Sequence, residues 1–542
     1  MNPNFLTGLS LNEQVAAHIL RAQAARIGER TFVICGDERI SYAEADRRAD
    51  RIAAAFHGLS IGKGERVALL LHNRVEYLDL WFGLSRIGAI QLPLNTAYKS
   101  PQLLHTLTRA PVTAIVVEDA LLPELEIVID QIASIKTVLV LGKLANEAKP
   151  RCKCNYLFLN TILDFPYPAP PATRISGADV GAIMNTSGTT GPSKGVLLSH
   201  AQQYILGRNI ANDMALTERD VYYNFFPLFH NTAQAMITLP VLLTGATMVL
   251  IDRFSVTRFW TDVREHGCTA FYYIGEILRI LLKSTTAADG AGTQLRIGWG
   301  IGASAADFTE FKSRHSVEMR SGYGSTEGNV GVYLPHDNPD LASVGRALPG
   351  FEVRIADKNN DPLPAGRTGE ILVRAVEPCT VMLGYDGDLA ATIAAWKDLW
   401  FHTGDAGHLD AEGNLFFKGR VKDGIRVRGE NVSAFEIEEA IAQVTGVLEV
   451  AAIAVPCDLG GDDVKIAVVA GSGYKLEAQT LIAHAEKQLP KFAVPRYVEF
   501  VAALPKTETN KVRKNVLRET PFTPATWDRL KSHHPNHKEP HV

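Results

Sequence analysis

Asn185-Thr186-Ser187-Gly188-Thr189-Thr190-Gly191-Pro192-Ser193-Lys194-Gly195 lies between two short apolar runs, Gly181-Ala182-Ile183-Met184 and Val196-Leu197-Leu198. Its glycines free the backbone to turn N–H groups toward a ligand. Its hydroxyls and the Lys194 ammonium add donors and positive charge, a set suited to a polyphosphate. The stretch departs twice from the nucleotide loop G-x-x-x-x-G-K-[ST]. Ser193 stands where the second glycine belongs, and Gly195 where a metal-binding hydroxyl belongs. Apolar runs on both sides predict a hairpin tip, whereas that loop opens a helix. The bland alternative is a flexible hairpin with no ligand.

Outward from this loop, apolar runs alternate with helical periodicity. Val67-Ala68-Leu69-Leu70-Leu71, Ala89-Ile90-Gln91-Leu92-Pro93-Leu94, Ala114-Ile115-Val116-Val117 and Thr137-Val138-Leu139-Val140 read as strands, with an amphipathic helix over Glu76 to Ile87. Continuous apolar strands separated by helices predict a largely parallel α/β sheet. After the loop, strands are expected at Tyr222 to Phe226, Thr269 to Ile274, Leu295 to Ile301 and Val317 to Arg320. The apolar stretch Thr232 to Ile251 carries Gln234, Pro240 and a Thr244-Gly245-Ala246 turn, so it reads as a buried helix and strand rather than a membrane span. From about residue 343 short alternating strands suggest an antiparallel, barrel-like unit. Beyond Gly419-Arg420 a small α+β pattern begins. The expected organisation is a large N-terminal domain of stacked α/β sheets with the barrel-like subdomain (1–420), a small C-terminal domain (421–520) and a polar tail expected to be disordered (521–542).

The bulk properties exclude several classes. The chain has 542 residues, 46% hydrophobic and 21% charged, with a net charge of -4. It is an ordinary globular composition, with no electrostatic case for nucleic acid or an anionic membrane. Six cysteines in a chain this long form no disulfide framework, and Cys152-x-Cys154 alone is weak metal evidence. The start, Met1-Asn2-Pro3-Asn4-Phe5, lacks the basic and apolar regions of a signal peptide. The expectation is a cytoplasmic protein, monomer or homodimer.

Several further stretches carry chemistry. Gly298-x-Gly300-x-x-Ala303 is a weak dinucleotide fingerprint, since no acidic residue ends the next strand. Tyr323-Gly324-Ser325-Thr326-Glu327 combines an aromatic face, hydroxyls and a carboxylate, which suit a base, a phosphate and Mg2+ respectively. Thr403-Gly404-Asp405 ends in an acceptor-only carboxylate suited to ribose hydroxyls. Alone, an Asp after Gly reads as a structural turn residue. Lys506 to Lys514 is a basic run that by itself means a solvated surface. His533, His534, His537 and His541 lie in the polar tail.

Together, in this order, these stretches resemble the adenylate-forming (AMP-binding) superfamily, in its acyl-CoA ligase branch, over about residues 12 to 520. The resemblance implies an acid–thiol ligase that forms an acyl adenylate from ATP and a carboxylic acid, then transfers the acyl group to CoA. Thr186, Ser187, Gly188, Thr189, Thr190, Gly191 and Lys194 match its phosphate loop. By resemblance, Thr326 meets the α-phosphate and Glu327 holds Mg2+. Gly302, Ala303, Ser304, Tyr323 and Gly324 line the nucleotide, and Asp405 and Arg420 hold the ribose. Lys422 falls at a hinge, Lys511 is the adenylation lysine, and Gly429 lines the pantetheine path beside Arg426 and Arg428. His230, Tyr273, Gly275, Gly322 and Gly328 are expected at the acyl pocket, with Ala303, Gly322 and Gly328 leaving space there; His230 is also carried over as catalytic. Phe229-His230-Asn231 lacks the aspartate of amino-acid-activating members, which favours a plain carboxylic acid. Asn510 and Glu276 depart from the family's usual glycine and proline. Glu276, beside Phe271, Tyr272 and Tyr273, is either a helix-start carboxylate in solvent or a receptor for a polar or cationic acyl tail. Two other readings stay open: transfer to a carrier-protein thiol, and an inactive nucleotide-binding scaffold.

Overall fold

The two apolar runs beside the opening loop are antiparallel strands, Val180–Asn185 and Gly195–Ser199, with Asn185 opposite Gly195. Thr186 N–H donates to the Lys194 carbonyl at 3.0 Å and extends the ladder into the tip. The computed structural model describes residues 8–142, 154–186, 194–336, 340–421, 424–427, 430–457, 462–507 and 511–532. Ser187, Gly188, Thr189, Thr190, Gly191, Lys422, Arg428, Gly429, Asn510 and the four tail histidines lie outside them.

This hairpin belongs to an eight-stranded sheet in the order Gly384–Tyr385, Gly195–Ser199, Val180–Asn185, Ile90–Pro93, Arg66–Leu70, Ala114–Glu118, Thr137–Leu141, Asn155–Phe158. From Val180–Asn185 to Asn155–Phe158 all its pairs are parallel. A second sheet has nine strands, with Val221–Asn224, Thr247–Leu250, Ala270–Ile274, Ile297–Ile301 and Glu318–Ser325 as its parallel centre. Helices Tyr42–Gly58, Val75–Ile87 and His200–Asp213 share one core with both sheets, through Ile52, Phe56, Trp81, Tyr204 and Ile205. This is the alternation the sequence predicts, with central strands such as Arg66–Leu70, Ala114–Glu118 and Ala270–Ile274 buried on both faces.

A five-stranded antiparallel sheet follows, built from Phe351–Ala356, Gly369–Ala375, Trp400–Leu409, Trp396–Lys397 and Leu415–Arg420. Beyond it, Val447–Pro456, Asp462–Ala470, Tyr497–Phe500 and Trp527–Asp528 form a four-stranded sheet with its own core around Ile437, Ile466, Leu481 and Val498. The tail expectation is corrected here. Trp527–Asp528 pairs with Tyr497–Phe500, and Asp528 takes the Arg496 guanidinium at 3.2 Å. Residues 521–532 are thus part of the small unit. Among the described residues no helix is long and apolar enough to cross a membrane.

Candidate active site

A cavity of about 810 Å³ opens between the large and small units. Thr186 and Lys194 from the hairpin, His230, Gly275 and Gly302, Gly324, Thr326 and Glu327, Arg420 and Lys511 all reach its wall. These residues are far apart in sequence, and the fold brings them together as follows.

Thr326 and Glu327 sit on the turn between Glu318–Ser325 and the antiparallel Asn329–Tyr333. The turn is pinned from several sides. Gln202 Nε2 donates to Thr326 O at 2.8 Å, Met382 N–H to Glu327 O at 2.8 Å, and Gly328 N–H to Ser325 Oγ at 2.9 Å. Asn329 takes a left-handed φ of 62° and donates its amide to Thr380 O at 2.9 Å. Asparagine tolerates this conformation better than most residues. Gly324 is required, since a Cβ there would overlap the Asn329 carbonyl.

The Glu327 carboxylate accepts from Tyr385 Oη at 3.2 Å, and Lys194 Nζ stands 4.7 Å over the same ring. Tyr385 thus links the phosphate hairpin to the acidic turn, a role the sequence reading missed. Gly384-Tyr385 looks like a turn until its pairing with Gly195–Ser199 is seen. Among the described residues no three His, Cys, Asp or Glu side chains gather as a metal cage. A single carboxylate with spare lone pairs does fit Mg2+, which usually takes one or two protein carboxylates and fills its shell with phosphates and water.

Asp405 and Arg420 face each other across Trp400–Leu409 and Leu415–Arg420. Arg420 Nε lies 3.0 Å from Asp405 Oδ1, and Tyr323 Oη donates to Asp405 Oδ2 at 2.7 Å. Burial pushes the Asp405 carboxyl up, and the Arg420 charge opposes that push. Asp405 is only 5% exposed, so it meets the cavity through Arg420. Lys511 is exposed to the open cavity, although protein surrounds it on several sides. Enclosure lowers its ammonium, Arg420 adds to that, and Glu276, Asp405 and Glu327 act the other way.

Gly275 and Gly302 cross where two strand–helix turns touch. A Cβ at Gly275 would overlap the Gly302 carbonyl, and Gly302 holds a φ of 74°. Both positions therefore need glycine.

Six expected site residues turn out otherwise. The Tyr273 ring is buried, and its hydroxyl donates to Arg320 O at 2.7 Å, so it is core and not pocket wall. Ser304 caps the helix Ala305–His315, accepting from Asp307 N–H at 3.1 Å. Its neighbour Ala303 stands at the same turn, outside the cavity wall. Gly322 packs against Trp299, and Gly328 against Phe401, so neither leaves the space expected of it. Tyr323 stands behind the wall, tilted against Phe417 at 5.8 Å. Glu276, in contrast, does line the cavity, at the first turn of helix Gly275–Ser284. Phe271, Tyr272 and Tyr273 are buried and present no ring face beside it.

Comparison with known proteins gives a consistent result. The family model described as AMP-binding enzyme matches residues 20–386, and that of the AMP-binding enzyme C-terminal domain matches 436–511. A crotonobetaine/carnitine–CoA ligase of Proteus mirabilis (strain HI4320) is 32% identical over 486 residues, covering 89% of this chain and 93% of that protein. ATP-bound MatB from Rhodopseudomonas palustris superimposes with a TM-score of 0.82 at 28% identity, covering 93% of this chain and 98% of that one. The anthranilate CoA ligase AuaEII in complex with anthranoyl-AMP shares the fold, with a TM-score of 0.85 at 24% identity and coverage of 96% and 98%.

Proposed function

The chain belongs to the AMP-binding enzyme family, and from that premise we propose that it is an ATP-dependent acid–CoA ligase. One observation carries this reading: Lys194, Thr326, Glu327, Arg420 and Lys511 share the wall of one cavity. In the first step a carboxylate oxygen attacks the α-phosphorus of ATP. The α–β P–O bond breaks, and pyrophosphate leaves with its electron pair. In the second step the CoA thiol, losing its proton, attacks the acyl carbon and AMP departs.

The enzyme's work in the first step is to align two anions and offset their charge. Lys511 bridges the carboxylate and the α-phosphate, while Lys194 and its hairpin hold the departing pyrophosphate. Thr326 donates to the α-phosphate, and Arg420, backed by Asp405 and Tyr323, orients the ribose. Glu327 would hold Mg2+, which when bound neutralises phosphate charge. The large unit ends near Arg420, and the small unit that carries Lys511 turns about that point between steps.

Glu276 supports a narrower choice of acid, one with a cationic or hydrogen-bonding tail. No ion-pair partner within 4.0 Å is found for it among the described residues. Relatives named for crotonobetaine and carnitine point the same way. With Glu276→Gln, kcat/KM for cationic acids is expected to fall about tenfold, near 1.4 kcal/mol, with neutral acids unchanged. An equal loss for all acids would show that the carboxylate serves Lys511 instead.

The central test is pyrophosphate release over a panel of acids, with and without CoA. Acid-dependent release, followed by CoA consumption, is expected. ATP turnover indifferent to acid would sink the reading.

A further inference from the structure

His230 stands at the entrance of an unusual helix. The chain turns through 227–231 and enters Thr232–Thr238, wound as a π-helix, before regular turns resume at Leu239–Thr244. Such winding is rare and concentrates at functional sites. The first N–H groups of any helix lack partners within it. Here Thr232 N–H donates to His230 Nδ1 at 3.2 Å, and Thr232 Oγ1 lies 2.9 Å from the same nitrogen. A backbone N–H can only donate, so Nδ1 is accepting. A neutral imidazole that accepts at Nδ1 carries its proton on Nε2.

The helix entrance is held firmly. Gln203 Nε2 donates to Asn231 Oδ1 at 3.1 Å and to Gln234 Oε1 at 3.3 Å. Gln234 in turn donates to Leu228 O at 2.8 Å and exchanges amide bonds with Gln91. All four side chains are buried. Asn73 fixes the other end of the turn, accepting from Leu228 N–H at 2.8 Å. The backbone on either side of His230 is thereby fixed, and the ring itself is held through Thr232.

We propose that Thr232 is a positioning residue that fixes His230 as the Nε2–H tautomer, a neutral hydrogen-bond donor to the acid's carboxylate. The proposal rests on the ligase reading above. Its chemical sense lies in the first step. An imidazolium would ion-pair with the carboxylate and blunt its attack. A neutral N–H orients one oxygen and leaves the negative charge on the other.

The surroundings favour the neutral form. Burial and the Lys511 charge lower the imidazolium to about 4. Protonating Nδ1 would also set a donor against Thr232 N–H and a cation at the positive end of a helix. Arg420 lines the same cavity and adds to this, while Glu276 and Glu327 oppose it from the other walls.

The test uses the full chain with 15N-labelled histidine, assigning His230 by difference from His230→Gln. A bare Nδ1 and a protonated Nε2 are expected, unchanged between about pH 5 and 8. Thr232→Val, which keeps the backbone N–H and removes the hydroxyl, should lower acid-dependent pyrophosphate release about tenfold, the low end of the loss when the orienting partner of a metal-bound histidine is removed. It should also bring a new acidic limb to the pH profile, and Thr232→Ser should restore both. His230→Gln, whose amide nitrogen approaches the Nε2 position, should retain more rate than His230→Asn. A proton on Nδ1, an unaltered pH profile in Thr232→Val, or equal rates for His230→Asn and His230→Gln would overturn the proposal. An Nε2–H spectrum with no pyrophosphate release for any acid would instead overturn the ligase reading and leave the tautomer assignment standing.

Discussion

Lys511 stands among opposing charges in the cavity: Arg420 pushes its proton off, and Glu276, Asp405 and Glu327 hold it on. Substituting Lys511→Ala should cut pyrophosphate release by about 10²- to 10³-fold, typical for one preorganised donor. Thioester formation from supplied acyl adenylate should persist. Loss of both would refute the role. At Gly275, an alanine meets the Gly302 carbonyl. Overpacking of this kind costs about 1–3 kcal/mol, so Gly275→Ala should lower the thermal midpoint as well as activity. That Lys511, Glu327 and Arg420 share one cavity was anticipated through the family resemblance, since the basic run around Lys511 reads by itself as a solvated surface. The places of Tyr385 and Tyr273 were not. Whether a tyrosine faces a cavity or a core depends on which strands pair beside it.

Among the elements, the hairpin and the acidic turn are joined by one ring. Tyr385→Phe keeps the face under Lys194 and loses only the hydroxyl to Glu327, whereas Tyr385→Ala loses both. The alanine variant should therefore raise the KM for ATP clearly more than phenylalanine does. Helices Tyr42–Gly58 and Val75–Ile87 meet at Arg48 and Asp79, 3.2 Å apart. Burial raises the Asp79 carboxyl to about 7, with Arg48 opposing. The folded chain then holds a proton that the unfolded chain has released, so stability falls as pH rises from about 4 toward 7. Asp79→Asn should flatten that slope in denaturation at about pH 5 and pH 8. The strand–helix alternation was readable from apolar runs. The π-helix was not, because Thr232–Thr238 is buried on every side and shows no apolar stripe to distinguish one winding from another.

At the scale of the whole molecule, the small unit is docked by polar contacts beside and beyond the cavity rim. Lys283 donates to the Val447 carbonyl, and Lys418 pairs with Glu436 at 2.8 Å. Burial raises Glu439, whose charge is eased by Lys418 and Arg279. If docking serves the first step alone, Lys283→Ala should slow pyrophosphate release severalfold and spare thioester formation from supplied acyl adenylate. Equal losses in both assays would mean that the contact does not discriminate. Sequence gave no sign of these pairings, since surface charges reveal their partners only once two units are packed.

The order in which the cavity wall is synthesised has its own consequence. A growing chain folds largely from its N-terminal side, so Lys194, Glu327 and Arg420 are in place well before Lys511. On the ligase reading, a chain stopped short of Lys511 would lack the cation proposed to join nucleotide and acid. On that reading, unfinished copies would form no mixed anhydride to release.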